Sequence, residues 1–448
     1  RSTHCISSAA SDVYKSQRLY QQFNETLYSE TLTNGLQVNI LPKKDFHKTY
    51  ATFSTNFGSI DRTFIPQGQR EYVAQPAGIA HFLEHKMFDK KGYDAFDLFG
   101  EYGADSNAFT SFTKTSYLFS ATQNIHENID ILLDFVQEPY FTEASVEKEK
   151  GIIGQEIQMY NDDPDWKLYM GILGNLYPHH PVHLDIAGTV NSIAQITADD
   201  LYAAYNTFYN PANMDLFVVG NVDPDKTLGW IKENQNKKNF EKFTEPQVKL
   251  PNQEADFDDI IKHQVVSMDI NRPKSIVGLK GLDDVPVGRA GLAYRLKANL
   301  LLYLLFGESS EQYLKLYDQG VIDDTFSYDF DMERSFHYAS FSGDTDQPEK
   351  FQEAIKAVLS HTEQILPQLG SQFQLAKKEM MGRLLQRMDS VEAIANSYEA
   401  QFDQATVFDQ AAIYETMTLD DLLLLSHNFL DLKGFSTFQI QPSKGTQL

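Results

Sequence analysis

Only one cysteine, Cys5, occurs in the 448 residues. No intrachain disulfide can form, and the body of the chain offers no cysteine-based metal site or catalytic thiol. A reducing, cytoplasmic compartment fits that scarcity. Basic residues are also few: 38 Lys and Arg stand against 62 Asp and Glu, a formal charge of −24. This balance lacks the basic stripe of a nucleic-acid binder and disfavours docking on an anionic membrane. Its plain consequence is solubility. A sharper one is an acidic chamber that enriches basic peptides. Long apolar runs are missing too. The longest lies around residues 300–306, too short to span a bilayer. The N-terminal stretch has no apolar core of the secretory type. Residues 1–17 are small, polar and without period, so residues 1–20 are set aside as a non-native leader, Cys5 with them. Serine-hydrolase elbows, Walker loops and dinucleotide fingerprints are absent, which removes the commonest rival enzyme classes.

What remains is ordinary globular composition, 42% hydrophobic and 22% charged, in a chain long enough for two or three domains. Residues 31–41 (TLTNGLQVNIL) carry the turn Asn34-Gly35, followed by alternating Leu36, Val38 and Ile40. Further strands are expected at 50–56, within 103–121 and at 214–219, with helices at 125–137, 142–160 and 199–208. A polar segment, 61–76, precedes a histidine-bearing helix. Residues 232–258 are rich in Asn, Lys, Glu and Pro and read as a linker. After them the pattern restarts. The TADDL of 197–201 returns as the TLDDL of 418–422, an offset of 418 − 197 = 221. Tyr117 and Tyr338 stand at the same offset, 338 − 117 = 221, each on an expected strand before an amphipathic helix. Expected boundaries are therefore a first half at 21–231, the linker at 232–258 and a second half at 259–448.

The chemistry centres on HFLEH at 81–85. A helix turns about 100° per residue, so His85 lies about 40° from His81, and Glu84 about 60° to its other side. All three project within one arc. Two neutral imidazoles there can hold one Zn²⁺, and the carboxylate beside them can take a proton from metal-bound water. A surface helix with a salt-bridged glutamate is the plain alternative. The flanks argue against it: Ile79, Ala80, Phe82 and Leu83 make the remaining helix surface apolar, so the polar trio needs partners. A third ligand is expected from residues 146–160 of the long helix, which offer Glu147, Glu149 and Glu156. Glu149 and Glu156 are seven apart and share a face. Ile152 and Ile153 suggest that the Glu156 end faces the core, so periodicity favours Glu156 and leaves Glu149 as the alternative. Shifting 81–85 by 221 lands on LYLLF at 302–306, where no ligand stands.

The stretch GIAHFLEHKMF resembles the signature of the pitrilysin/insulinase family of inverted-motif zinc metallopeptidases, which includes the processing peptidases. The likeness extends to Glu149 and Glu156, to Asn107-Ala108-Phe109-Thr110, and to the stretches 209–214 and 218–223, and is weak after Asp223. It implies Glu156 as the zinc ligand, 156 − 85 = 71 residues beyond His85, and Glu149 as an acidic residue supporting the site. It implies that Asn107 and Ala108 bind substrate backbone, by an extended peptide joining a strand edge. The alternative for Asn107 is a turn residue following Gly103. Two departures from the family stand out. The 61–76 segment is longer than in many relatives, and no Arg-x₆-Tyr pair follows residue 258, although His337 and Tyr338 lie on the corresponding strand. The histidines at 179, 180 and 183 sit in a Pro-containing loop and read as structural or solvent-facing.

The resemblance implies an α+β fold of two duplicated halves, each an antiparallel sheet packed with helices, as in LuxS/processing-peptidase-like metallohydrolases. It implies a zinc-dependent endopeptidase for short extended peptides, with Glu84 as general base and one Zn²⁺ per chain. The chain would work as a homodimer or as a heterodimer with a metal-less paralogue, closing on the peptide, with no nucleic acid or membrane involved. The rival is a non-catalytic assembly subunit of a two-chain processing peptidase.

Overall fold

A computed structural model describes residues 16–251, 259–398 and 404–443. The chain divides into two compact units. The first comprises residues 1–154, 186–249 and 387–398, and the second 155–185, 250–386 and 399–448. A single cut within 232–258 therefore does not separate them. Residues 155–185 cluster with the second unit and 387–398 with the first, because each packs on that unit's sheet.

The first unit is built on strands β1 (Ser16–Tyr20), β2 (Glu25–Thr31), β3 (Gln37–Pro42) and β4 (Thr49–Thr55). Two short ribbons follow, β5 (Thr63–Phe64) with β6 (Val73–Ala74), and β7 (Asp89–Lys90) with β8 (Tyr93–Asp94). Strands β9 (Ala104–Thr110), β10 (Thr115–Ala121) and β11 (Met214–Gly220) complete it. The seven-stranded order is β1-β2-β3-β11-β4-β10-β9, so β9 is an edge. Ala51, Phe53, Tyr117, Phe119, Leu216 and Val218 are buried in register on one face. Helices α1 (Ile79–Phe88), α2 (Ala95–Glu101) and α3 (Ile125–Gln137) belong to this unit. Helix α4 (Glu143–Asp162) starts in it and runs unbroken past Gly154. The Asn34-Gly35 turn closes β2 on β3, with Gly35 at φ 92° and the Leu36 N–H donating to Asn34 Oδ1 at 3.1 Å.

In the second unit, α5 (Pro164–Leu176) packs on β12 (His263–Met268), β13 (Lys274–Lys280) and β16 (Phe435–Pro442), with β14 (Ser327–Glu333) and β15 (Phe336–Asp344) beyond. The approach is close, since a Cβ on Gly171 would stand 2.4 Å from the Phe438 ring. The order is β12-β16-β13-β15-β14. It repeats five of the first sheet's seven strands in order, β3 with β12, β11 with β16, β4 with β13, β10 with β15 and β9 with β14, while β1 and β2 have no counterpart among the described residues. The helices Ala198–Phe208 and Leu419–Phe429 stand 419 − 198 = 221 apart. Each opens with a capping box, Thr197 with Asp200 and Thr418 with Asp421, which accounts for the TADDL and TLDDL echo.

Three expectations change. Residues 16–20, set aside with the leader, pair antiparallel with β2, forming an exposed edge strand that buries too little to leave an apolar pattern. Residues 1–15, with Cys5, lie outside the described residues. The sheets are not wholly antiparallel, because β3 runs parallel to β11 and β12 parallel to β16. Part of the expected linker is helical, in Pro224–Asn236, while 252–258 lie outside the described residues. No described helix is long and apolar enough to cross a membrane.

Candidate metal centre

Helix α1 starts abruptly after Gly78, whose φ of 93° suits glycine. A Cβ there would stand 2.4 Å from the Ala187 carbonyl oxygen, and one on Gly188 (φ 77°) would stand 2.4 Å from the Ala77 carbonyl oxygen. The Ser192 hydroxyl also donates to the Ala77 carbonyl at 2.8 Å. The start of α1 is thus pinned against residues 186–192. From there Ile79, Ala80, Phe82 and Leu83 are buried, and His81, Glu84 and His85 share the other side. The two imidazoles lie 4.6 Å apart, centroid to centroid.

Helix α4 turns Val146, Ile153 and Ile157 inward, with Glu149, Glu156 and Tyr160 half-buried along the same stripe. Ile152, expected on that face, is exposed, and Ile153 alone marks the core side. His81, His85 and Glu156 each present a donor atom within 4.8 Å of the other two. Among the described residues this is the one group of three such side chains that could hold a metal ion. Two imidazoles and a carboxylate are a His₂Glu donor set, which leaves a fourth position open. Burial, with His85 second, lowers the His81 pKa to about 3, so the ring is neutral as a ligand must be.

His85, Glu156 and the neighbouring Glu84 each have a holder. His85 Nδ1 is 3.1 Å from Glu149 Oε1, which leaves Nε2 for a metal. The Tyr160 hydroxyl donates to Glu156 Oε1 at 3.1 Å. Glu84 is buried, and the Thr110 hydroxyl donates to its Oε2 at 2.8 Å. Tyr160 was not singled out from the sequence, although it lies one helical turn beyond Glu156. Thr110 was seen only as the last residue of the Asn107 motif.

Asn107 and Ala108 lie mid-strand on β9, opposite Leu118 and Tyr117, so Asn107 is not a turn residue. Its side-chain oxygen accepts from the Ala108 N–H at 2.8 Å. The histidines of the 179–183 loop are engaged elsewhere. His180 Nδ1 accepts from the Val182 N–H, so Nε2 carries the proton that meets Ser335 Oγ at 3.1 Å and cannot act as its base. His183 Nδ1 is 2.7 Å from the His180 carbonyl, and His179 meets Asp259. His337 and Tyr338 are buried in the second unit, against Asp283 and Asp331.

The family model described as Insulinase (Peptidase family M16) matches residues 62–190, and that of the Peptidase M16 inactive domain matches residues 195–372. The uncharacterized zinc protease YmfH of Bacillus subtilis is 48% identical over 407 residues, covering 90% of this chain and 94% of that protein. The chain belongs to the M16 peptidase family. An M16-like peptidase structure from Alicyclobacillus acidocaldarius is 35% identical with a TM-score of 0.88, covering 94% of this chain and 99% of that one. Pitrilysin shares the fold at 16% identity and a TM-score of 0.68. The match takes in 95% of this chain and only 46% of pitrilysin. The match to the inactive-domain description falls mostly on the half whose 302–306 segment has no ligand, while HFLEH and Glu156 lie within the other match.

Proposed function

We propose that this chain is a zinc-dependent endopeptidase that cuts short, extended polypeptides. His81, His85 and Glu156 hold the metal, and Glu84 is the general base. The observation that carries this reading is the convergence of those three donors beside a buried carboxylate. Bound zinc supplies a Lewis acid that makes water acidic near neutral pH and polarises the scissile carbonyl. Glu84 accepts the water's proton and passes it to the leaving amine. The Thr110 hydroxyl, donating to Glu84 Oε2, orients the carboxylate for that transfer. Glu149 orients His85. On edge strand β9 the peptide joins as a further strand along Asn107 and Ala108, taking over the N–H that the Asn107 side chain now holds.

A second chain completes the enzyme in this reading, as a homodimer or with a metal-less paralogue. The support is that one copy spans about half of pitrilysin's length. The Glu84→Gln variant is expected to retain one zinc per chain and to lose hydrolysis of an unstructured peptide by about 10²–10⁴-fold. Wild-type-like turnover by that variant would sink the mechanism. A non-catalytic assembly subunit is the second reading. The presence of His81, Glu84, His85 and Glu156 together argues against it. A purified, folded chain that takes up no zinc would favour it.

A further inference from the structure

Lys86 has no part in that reading, yet it is the most deeply buried charge on α1, only 1% exposed. Burying an ammonium costs on the order of several kcal/mol unless carboxylates meet it. Two do. Its Nζ lies 2.7 Å from Asp89 Oδ2 and 3.9 Å from Glu149 Oε2. The Asp89 side chain is 43% exposed, a local pair within the end of the helix that water screens. Glu149 is only 13% exposed, and its other oxygen is the one beside His85 Nδ1 at 3.1 Å. Ammonium, carboxylate and imidazole thus form one line, joined through the two oxygens of a single carboxylate.

We propose that Lys86 is a positioning residue for the metal centre, acting through Glu149 to fix the orientation and tautomer of His85. This rests on the reading of His85 as a metal ligand. The ammonium draws Glu149 Oε2 toward the end of α1, which leaves Oε1 aimed at His85. The imidazole then keeps its proton on Nδ1 and offers Nε2 to the metal. A simpler electrostatic view gives the opposite sign. A positive charge near a dication repels it, so removing Lys86 would tighten binding. The sign of the change separates the two.

The test uses the full chain, stripped of metal, with zinc affinity read by competition against a chromophoric chelator. Lys86→Met keeps the apolar stem and removes the charge. It is expected to weaken zinc binding about 10–100-fold, the usual size for a partner behind a metal ligand. Glu149→Gln is expected to weaken it similarly. The double variant is expected to match Glu149→Gln within about twofold, because both changes break one line. Asp89→Asn, which breaks only the screened pair, is expected to change affinity less than about threefold. In cobalt-loaded protein the visible bands should shift alike in Lys86→Met and Glu149→Gln. Unchanged or tighter zinc binding by Lys86→Met overturns the proposal, as do losses that multiply in the double variant. Unfolding curves of the metal-free proteins identify a variant that has lost its fold. If Lys86→Met has done so, the Glu149→Gln result decides, and undiminished affinity there overturns the proposal. Wild-type chain that binds no zinc defeats the metallopeptidase reading itself, a different outcome from a wild type that binds zinc beside an equally competent Lys86→Met.

Discussion

Glu84 and Asp215, two of the buried acids of the first unit, show how differently burial can be met. Glu84 has the Thr110 hydroxyl on one oxygen and the donor cluster beside it. Asp215 lies in the middle of the sheet on β11, opposite Ser54 of β4 and Gln37 of β3. Burial raises its pKa from 3.8 to about 7, and the charge of Lys114 only partly offsets this. The sign follows from the raised value. Between about pH 4 and pH 7 the folded chain holds a proton on Asp215 that the unfolded chain has lost, so stability falls as pH rises through that window. Asp215→Asn removes the cost of ionising a buried acid. Relative to wild type it should gain on the order of a few kcal/mol in urea unfolding between about pH 5 and pH 8. An equal pH dependence in both proteins would count against this account. The same residue scale shows what sequence can and cannot reveal. His81, Glu84 and His85 are legible because three polar groups interrupt an apolar helix at ligand spacing. Glu156 is legible because a seven-residue step keeps it on the Glu149 face. Lys86 is invisible by such reasoning: a lysine after the motif reads as solvent-facing, and only the fold shows it buried.

At the scale of elements, local signals served well and partnership did not. The helix expected at 125–137 is found there, because its apolar spacing and start are properties of its own residues. Strand β1 was missed because an exposed edge imposes no apolar alternation. The parallel pairing of β3 with β11 joins residues far apart in the chain and leaves no local trace. Nor could sequence show that α5 packs on the second sheet, since an apolar face does not name what covers it. The entry to α1 was not read from the sequence: the left-handed start at Gly78 and its crossing with Gly188 both need the fold. Both backbones pass where a methyl group would meet a carbonyl at 2.4 Å, and both glycines have positive φ. Gly78→Ala is therefore expected to destabilise the chain by on the order of 2 kcal/mol or more, and Gly188→Ala similarly. Because Gly78 lies three residues before His81, its substitution should also lower bound zinc per chain, measured by atomic absorption. A Gly78→Ala protein of wild-type stability and metal content would show that the loop gives way freely.

Over the whole molecule, one topology has been used twice with unequal equipment. Both sheets share a strand order and a parallel pair, and both carry the capped helix at the 221-residue offset. The first unit's α1 bears HFLEH, while 302–306 end the helix Gly288–Phe306 with buried Leu302, Leu304, Leu305 and Phe306. Where one copy places the candidate donors His81 and His85 on its helix, the other fills that surface with core. Zinc should therefore bind at one equivalent per 51.0 kDa chain and not two. A ligand that binds only the folded chain stabilises it by about 4 kcal/mol at a thousand times its Kd, so stripping the metal must lower the unfolding midpoint. Returning zinc should restore the midpoint in wild type and in Glu84→Gln, since the proposed reading makes Glu84 the base and not a ligand. It should fail to do so in His81→Ala and Glu156→Ala, each of which removes one donor. A second equivalent of tightly held zinc, or full restoration in His81→Ala, would place the metal somewhere other than the α1 and α4 donors.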